Sequence, residues 1–200
     1  MIAYIKGSLE EKANKYVVVD VQGVGYKIFM AEPAINSLGE IGEKVKVYTY
    51  QQVREDDISL YGFLSNEELR MFELLISVSG VGAKSALTIL ANIEPSHFAL
   101  AVITNDTSKL VKVPGIGAKS AARIVLELKD KIKHEQTMKE NVGADDSVCP
   151  IETTNVEEAI SALQVLGYNK REIEKTIQKL AKEELSVEEL IKQGLKELSK

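Results

Sequence analysis

A single cysteine in 200 residues, Cys149, rules out an internal disulfide, and only His97 and His134 stand beside it as further soft ligands. A Cys/His zinc site is therefore excluded, and neither a metal nor a cofactor is expected. No apolar run approaches the roughly 20 residues of a bilayer span. The opening MIAYIKGSLEEK has neither the apolar core nor the small-residue cleavage site of a secretory signal, so the cytoplasm is the expected location and no membrane partner is expected. Apolar residues are not scarce: 44% of the chain is hydrophobic and 28% charged, the balance of a folded globular protein. At about 150 residues per domain, the length allows one large domain or two to three small ones.

Positive charge is also in short supply, with 25 basic against 30 acidic residues and a net charge of −5. Divided along the chain, the deficit has a location. Residues 1–134 carry 16 basic and 16 acidic side chains and residues 135–200 carry 9 and 14, so all the excess acid is C-terminal. Between Lys109 and Lys133 seven basic residues face only Glu127 and Asp130, a local charge of +5. The bulk charge therefore does not exclude a polyanionic partner.

The first 63 residues have β character. Tyr16–Val21 is β-branched and aromatic, Lys44–Tyr50 places Val45 and Val47 on one face, and six of the seven tyrosines precede residue 62. Gly23, Gly25, Gly39 and Gly42 cut these runs into short strands, which suits a small antiparallel barrel or sandwich. From Ser65 the period turns helical, opened by a capping box of Ser65 with Glu68 and followed by Leu69, Phe72, Leu75 and Ile76 on one stripe. Helices then alternate with glycine turns to about Lys133. Residues 135–153 are polar, acidic and aperiodic and predict a flexible linker. Three capped helical stretches follow, led by Thr154 with Glu157, Asn169 with Glu172, and Ser186 with Glu189. Some 47 residues in three helices is a small unit, suited to one surface for one partner.

Comparing the chain with itself finds one strong match, at an offset of 35 residues. Val78-Ser79-Gly80-Val81-Gly82-Ala83-Lys84-Ser85-Ala86 lies over Val113-Pro114-Gly115-Ile116-Gly117-Ala118-Lys119-Ser120-Ala121, identical at seven of nine positions. Each copy sits between helical patterns. Glycine permits φ > 0 and close approach of the backbone to a bulky anion, and the helix that follows offers unpaired N–H groups and about half a positive charge. Lys84 and Lys119 fall in the first turn of those helices, unfavourable to the helix dipole but well placed for a phosphate held by the hairpin. A lone Gly-x-Gly serves equally as a tight turn between packed helices; two copies with matching lysines favour the anion site. The candidate phosphate-binding residues are Gly80, Val81, Gly82, Ala83, Lys84 and Ser85 in the first copy, and Gly115, Ile116, Gly117, Ala118, Lys119 and Ser120 in the second, with Arg123 on the helix beyond. Backbone gripping of this kind touches no base edge, so binding is expected to ignore sequence and fall steeply with salt. A nucleotide-hydrolysing phosphate loop is excluded, because that motif needs glycine directly before the lysine and Ala83 and Ala118 stand there instead.

PGIGAKSA resembles the helix-hairpin-helix motif of DNA-binding proteins. The order of the whole chain resembles the RuvA family of bacterial Holliday-junction recognition subunits: MIAYIKG at the start, GVGYK, VREDDISLYGF, two hairpins, and a C-terminal helical unit containing LGY. The resemblance implies a multi-domain α+β chain. Its parts are an OB-like β-barrel over 1–63, a central all-α tandem helix-hairpin-helix domain over 64–134, the flexible linker over 135–153, and a C-terminal three-helix, UBA-like domain over 154–200. It further implies a non-enzymatic subunit that binds four-way DNA junctions in recombination and repair. A homotetramer is implied, with an octamer left open, as are a RuvB ATPase engaged by the last domain and a RuvC resolvase in a larger complex. Leu163, Leu166 and Tyr168 are candidates for the motor contact or, equally, core of the small domain. Ala118 departs from the family pattern, where a second basic residue is common beside Lys119, so the second hairpin is expected to grip less strongly.

Between the expected strands Val45–Val53 and Ile58–Phe63 lies Arg54-Glu55-Asp56-Asp57. Taken alone this is an ordinary solvated turn. In a protein that grips phosphates, adjacent carboxylates become a repulsive element able to keep strands apart. By resemblance they form an acidic pin at the junction centre, Glu55 and Asp56, with Asp57 as a further candidate; Arg54 either holds the pin or touches a phosphate. Tyr4, Tyr26, Tyr48, Tyr50 and Tyr61 are assigned to barrel packing rather than base stacking. His97 and His134 show no partner and Cys149 falls in the linker. A base-excision glycosylase with Lys119 as nucleophile lacks its supporting set, since Glu127 and Asp130 lie on the same expected helix as Lys119. A structural nucleic-acid adaptor stays open, separated by its indifference to four-way DNA.

Overall fold

A computed structural model describes residues 1–140, 155–180 and 185–198, with the backbone alone for 132–140. The chain forms two compact units, Met1–Ile76 with Val81–Asn92, and Ser77–Gly80 with Ile93–Lys200.

The first unit is built on a closed five-stranded barrel in the order β1-β2-β3-β5-β4. Its strands are β1 (Tyr4–Lys12), β2 (Tyr16–Val21), β3 (Val24–Phe29), β4 (Lys44–Val53) and β5 (Ile58–Phe63), and the short helix α1 (Glu32–Ser37) lies between β3 and β4. The expectation of antiparallel strands holds except at the closing seam, where β3 and β5 run parallel with Ile28 opposite Leu60. The strand order and the helix before β4 make it an OB-type barrel. Alternation supplies the core: Ile5, Leu9, Val17, Val19, Ile28, Val45 and Val47 point inward and are buried.

The helix α2 (Asn66–Ile76) leaves the barrel through the expected capping box, in which the Glu68 N–H donates to Ser65 Oγ at 3.2 Å and Glu68 Oε2 accepts the Leu64 N–H at 2.9 Å. Phe72 packs its ring 5.4 Å from Tyr50, 5.4 Å from Tyr61 and 4.9 Å from Phe63. This aromatic contact binds α2 to the outer face of the barrel, so packing runs across the sequence boundary at residue 63. Helix α3 (Ala83–Leu90) completes the unit. Tyr50 and Tyr61 thus pack as expected. Tyr4 does not: it is 56% exposed, and Lys46 Nζ lies 5.0 Å from its ring centroid and 4.4 Å from that of Tyr48.

The second unit holds α4 (Pro95–Thr104), the single turn α5 (Ser108–Val111), α6 (Ala118–Glu140), α7 (Asn155–Val165), α8 (Lys170–Leu180) and α9 (Val187–Leu198). Helix α4, PSHFALAVIT, is apolar on every side, and such a helix needs cover all round. It is packed by α6 and also by α7 and α9. The C-terminal helices, expected only as a tethered unit, therefore rest on α4. His97, for which the sequence offers no partner, hydrogen-bonds Glu188 of α9 through Nε2, and its Nδ1 lies 3.9 Å from Glu94. That contact holds the Glu188 carboxyl below its ordinary range. The box at Ser186 and Glu189 forms as expected, with the Ser186 N–H donating to Glu189 Oε2 at 3.1 Å. Helix α6 continues through Glu140, six residues into the expected linker; 141–153, with Cys149, lie outside the described residues, as do Thr154 and the side chain of His134.

Candidate nucleic-acid interface

The 35-residue repeat survives as structure. Val78 and Val113, Ala86 and Ala121, and Ile89 and Ile124 are equivalent pairs, all buried, and they anchor the two loops. Gly80 and Gly115 both adopt positive φ, +85° and +82°. In the second copy the Ile116 N–H donates to Val113 O at 3.0 Å, so Pro114 and Gly115 occupy the two central positions of a turn that requires φ > 0 at the second. The next glycine in each loop ends the hairpin: Gly82 O accepts the Ala86 N–H at 3.0 Å and Gly117 O accepts the Ala121 N–H at 2.9 Å. The amides of Ala83, Lys84 and Ser85, and those of Ala118, Lys119 and Ser120, precede these first intrahelical bonds and have no acceptor within the helix.

Both loops face outward. Gly80, Gly82 and Lys84 in the first copy and Gly115, Gly117, Ala118, Lys119 and Ser120 in the second are exposed, Val81 and Ser85 are half-buried, and only Ala83 and Ile116 are buried. The candidate contribution of Ala83 and Ile116 is thereby confined to the main chain. The second glycine of each loop is not there for the protein's own sake. Gly82 has φ −89°, open to any residue, and a Cβ placed on Gly82 or on Gly117 meets no protein atom within 4 Å. Glycine at such positions leaves room for something outside the chain to come close. Neither Lys84 nor Lys119 has an ion-pair partner among the described residues.

Arg123 differs from the lysines. Its Nε donates to Glu127 Oε1 at 2.8 Å, and its guanidinium reaches toward Gly80, 3.9 Å from where a Cβ there would stand. The other oxygen of Glu127 accepts the Ser79 N–H at 3.1 Å, while Lys131 Nζ donates to Ser77 O at 2.5 Å and Ser77 Oγ at 2.9 Å. Helix α6, which carries the second hairpin, thus also clasps residues 77–80 ahead of the first. Arg123, followed by the Ser79 amide, holds the Glu127 carboxyl below its ordinary range. Sequence reasoning missed this role of Glu127 and Lys131; the i,i+4 spacing of Arg123 and Glu127 is visible in the chain, but the tie to Ser79 is 48 residues away. It also removes Glu127 from consideration as a catalytic carboxylate beside Lys119.

The acidic tip is a tight turn. The Arg54 N–H donates to Asp57 O at 2.8 Å, leaving Glu55 and Asp56 as its two central residues, and all four are exposed. Asp57 accepts a hydrogen bond from Ser59 Oγ and so folds back along β5. Glu55 and Asp56 are the outermost carboxylates, and the Arg54 side chain has no ion pair among the described residues. Of the motor-contact candidates, Leu163 and Leu166 are fully buried, and Leu163 lies against Gly194 and Ile177. They serve the core of the three-helix unit, which corrects their assignment to an exposed surface; Tyr168 alone is partly exposed.

Residues 1–62 match the family model described as the RuvA N terminal domain, 72–130 that of the SAM-like helix-hairpin-helix tandem, and 154–199 that of the RuvA C-terminal domain. A protein of Acetivibrio thermocellus named Holliday junction branch migration complex subunit RuvA is 52% identical over 202 residues, covering all of both chains. Proteins of the same name from Ruminiclostridium cellulolyticum and Clostridium botulinum are 48% and 44% identical, covering 99% of this chain and 100% and 99% of theirs. Two outward glycine hairpins on an OB-type barrel chain, matched from end to end at this identity, place the chain in the RuvA family.

Proposed function

We propose that this protein binds four-way DNA junctions by structure rather than sequence, without enzymatic activity of its own, and holds them open for branch migration driven by a partner ATPase of the RuvB type in recombination and repair. The observation that carries the reading is the pair of exposed hairpins, each with free main-chain amides, an unpaired lysine and a glycine whose missing side chain leaves the approach clear. Such a loop grips a phosphate and reads no base. The acidic turn supplies the selectivity: on continuous duplex Glu55 and Asp56 meet backbone phosphates, whereas an open four-way centre leaves them space.

Four arms ask for four equivalent pairs of hairpins, hence a homotetramer; an octamer would enclose the junction on both sides. The domain boundaries are those of the sequence, with 154–200 as the motor-binding domain, Tyr168 its candidate contact, and the segment 135–153 the tether that keeps the motor at high effective concentration. A RuvC-type resolvase acts on the same presented junction. The test is a gel shift comparing a synthetic four-way junction with linear duplex of equal length. Strong preference for the junction is expected, and equal affinity would refute the proposal.

A further inference from the structure

The ribbon of β4 and β5 does not end where the barrel closes. Its inward-facing row runs through Val47, Thr49 and Gln51 on β4, with Leu60 opposite Gln51 on β5, and continues to the pair Val53 and Ile58. Val47 is fully buried and Leu60 9% exposed, but Val53 and Ile58 are 65% and 67% exposed. They face one another directly below the turn that carries Glu55 and Asp56. Alternation that keeps a strand inside a barrel has here put two β-branched apolar side chains side by side in water, where threonine would preserve the strand equally well.

What could cover this patch is limited by its neighbours. Glu55, Asp56 and Asp57 lie within a few residues of it, so a phosphate backbone is repelled. Duplex DNA hides its apolar surface in stacking, and exposes the uncharged face of a base pair only where stacking is interrupted. Aliphatic side chains are known to lie against such opened steps. We propose that Val53 and Ile58 form an apolar platform for the unstacked base pair at the branch point, beneath the carboxylates that keep the phosphates away. This rests on the junction-binding reading above and adds a contact to the bases that tolerates any sequence, because every base has an apolar face.

The test uses the full chain and a four-way junction carrying 2-aminopurine either at the branch point or several base pairs into one arm. Wild-type protein is expected to raise the branch-point fluorescence and leave the arm probe unchanged. The V53T/I58T variant keeps β-branching at two exposed sites; its junction affinity is expected to stay within about twofold, because the hairpins supply the phosphate contacts, while the branch-point signal falls at least about threefold. V53L/I58L should restore the signal. An unchanged branch-point signal in V53T/I58T with the junction still bound overturns the platform and leaves the function standing, whereas absence of junction preference in the wild type overturns the function itself. Altered sedimentation of V53T/I58T would show that the pair packs between copies of the chain and would equally overturn the platform. Should the double variant not fold, V53T and I58T singly face the same criteria.

Discussion

Alanine substitutions at the four hairpin glycines separate what holds the loops together from what the loops hold. Gly80 and Gly115 have φ near +80°, so a Cβ there costs about 1–2 kcal/mol in backbone strain, partly offset by about 0.4–1 kcal/mol from a stiffer unfolded chain. The double variant Gly80→Ala/Gly115→Ala should lose on the order of 2 kcal/mol, and at about 2–4 °C per kcal/mol for a chain of this size melt several degrees early. Gly82 and Gly117 behave differently. Their Cβ positions are empty of protein atoms, and the poorer helix cap offered by alanine is balanced by the same gain from the unfolded chain, leaving stability unchanged within about 0.5 kcal/mol. Yet a methyl group at either position stands in the path of an incoming phosphate. Losing a charge-assisted hydrogen bond is worth about 1.5–3 kcal/mol, so each blocked hairpin should weaken junction binding by about tenfold or more. Thermal melting and fluorescence anisotropy on a labelled four-way junction read the two effects separately. If Gly82→Ala/Gly117→Ala binds as tightly as wild type, the loops do not approach a phosphate and the assignment of the interface is wrong.

Three further expectations concern charge. Lys84→Glu and Lys119→Glu should weaken binding to every arm alike and flatten the plot of log affinity against log salt by about 0.9 per lost phosphate contact; an unaltered slope would remove those lysines from the interface. Neutralising the tip with Glu55→Gln/Asp56→Asn should preserve junction affinity and relax discrimination against linear duplex in a competition gel shift, and unchanged selectivity would deny the carboxylates a role. The Glu127 carboxyl titrates below its ordinary value, so the tie to Ser79 is complete above the usual glutamate range and is lost only as pH falls through the depressed value. Amide exchange at Ser79 should therefore stay protected from neutrality down to about pH 5, survive Glu127→Gln, which keeps an acceptor, and be lost in Glu127→Ala; equal protection in both variants would mean the hydrogen bond does not hold the loop.

The features legible from the chain are those whose cause is local. Alternation at Val45 and Val47 located the barrel, Ser65 with Glu68 located the start of α2, and a repeat of nine residues located both loops, because each depends on neighbours within one turn or one strand. The closing parallel pair of β3 and β5, the seat of Phe72 on the barrel, and the burial of Leu163 and Leu166 depend on which distant segment supplies the cover, and period alone is silent about that. The same silence affects the charge count. Seven basic residues between Lys109 and Lys133 suggest a strongly attractive stretch, yet Arg123 is shared with Glu127, and Lys131 is bound to Ser77. Of that stretch, Lys119 alone lies within the first turn after a hairpin, and Lys84 is its counterpart in the other copy. The number of phosphates neutralised per subunit should accordingly follow these two lysines rather than the local charge of +5. Releasing Arg123 through Glu127→Gln should steepen the salt dependence of binding by up to about 0.9, the slope of one added contact.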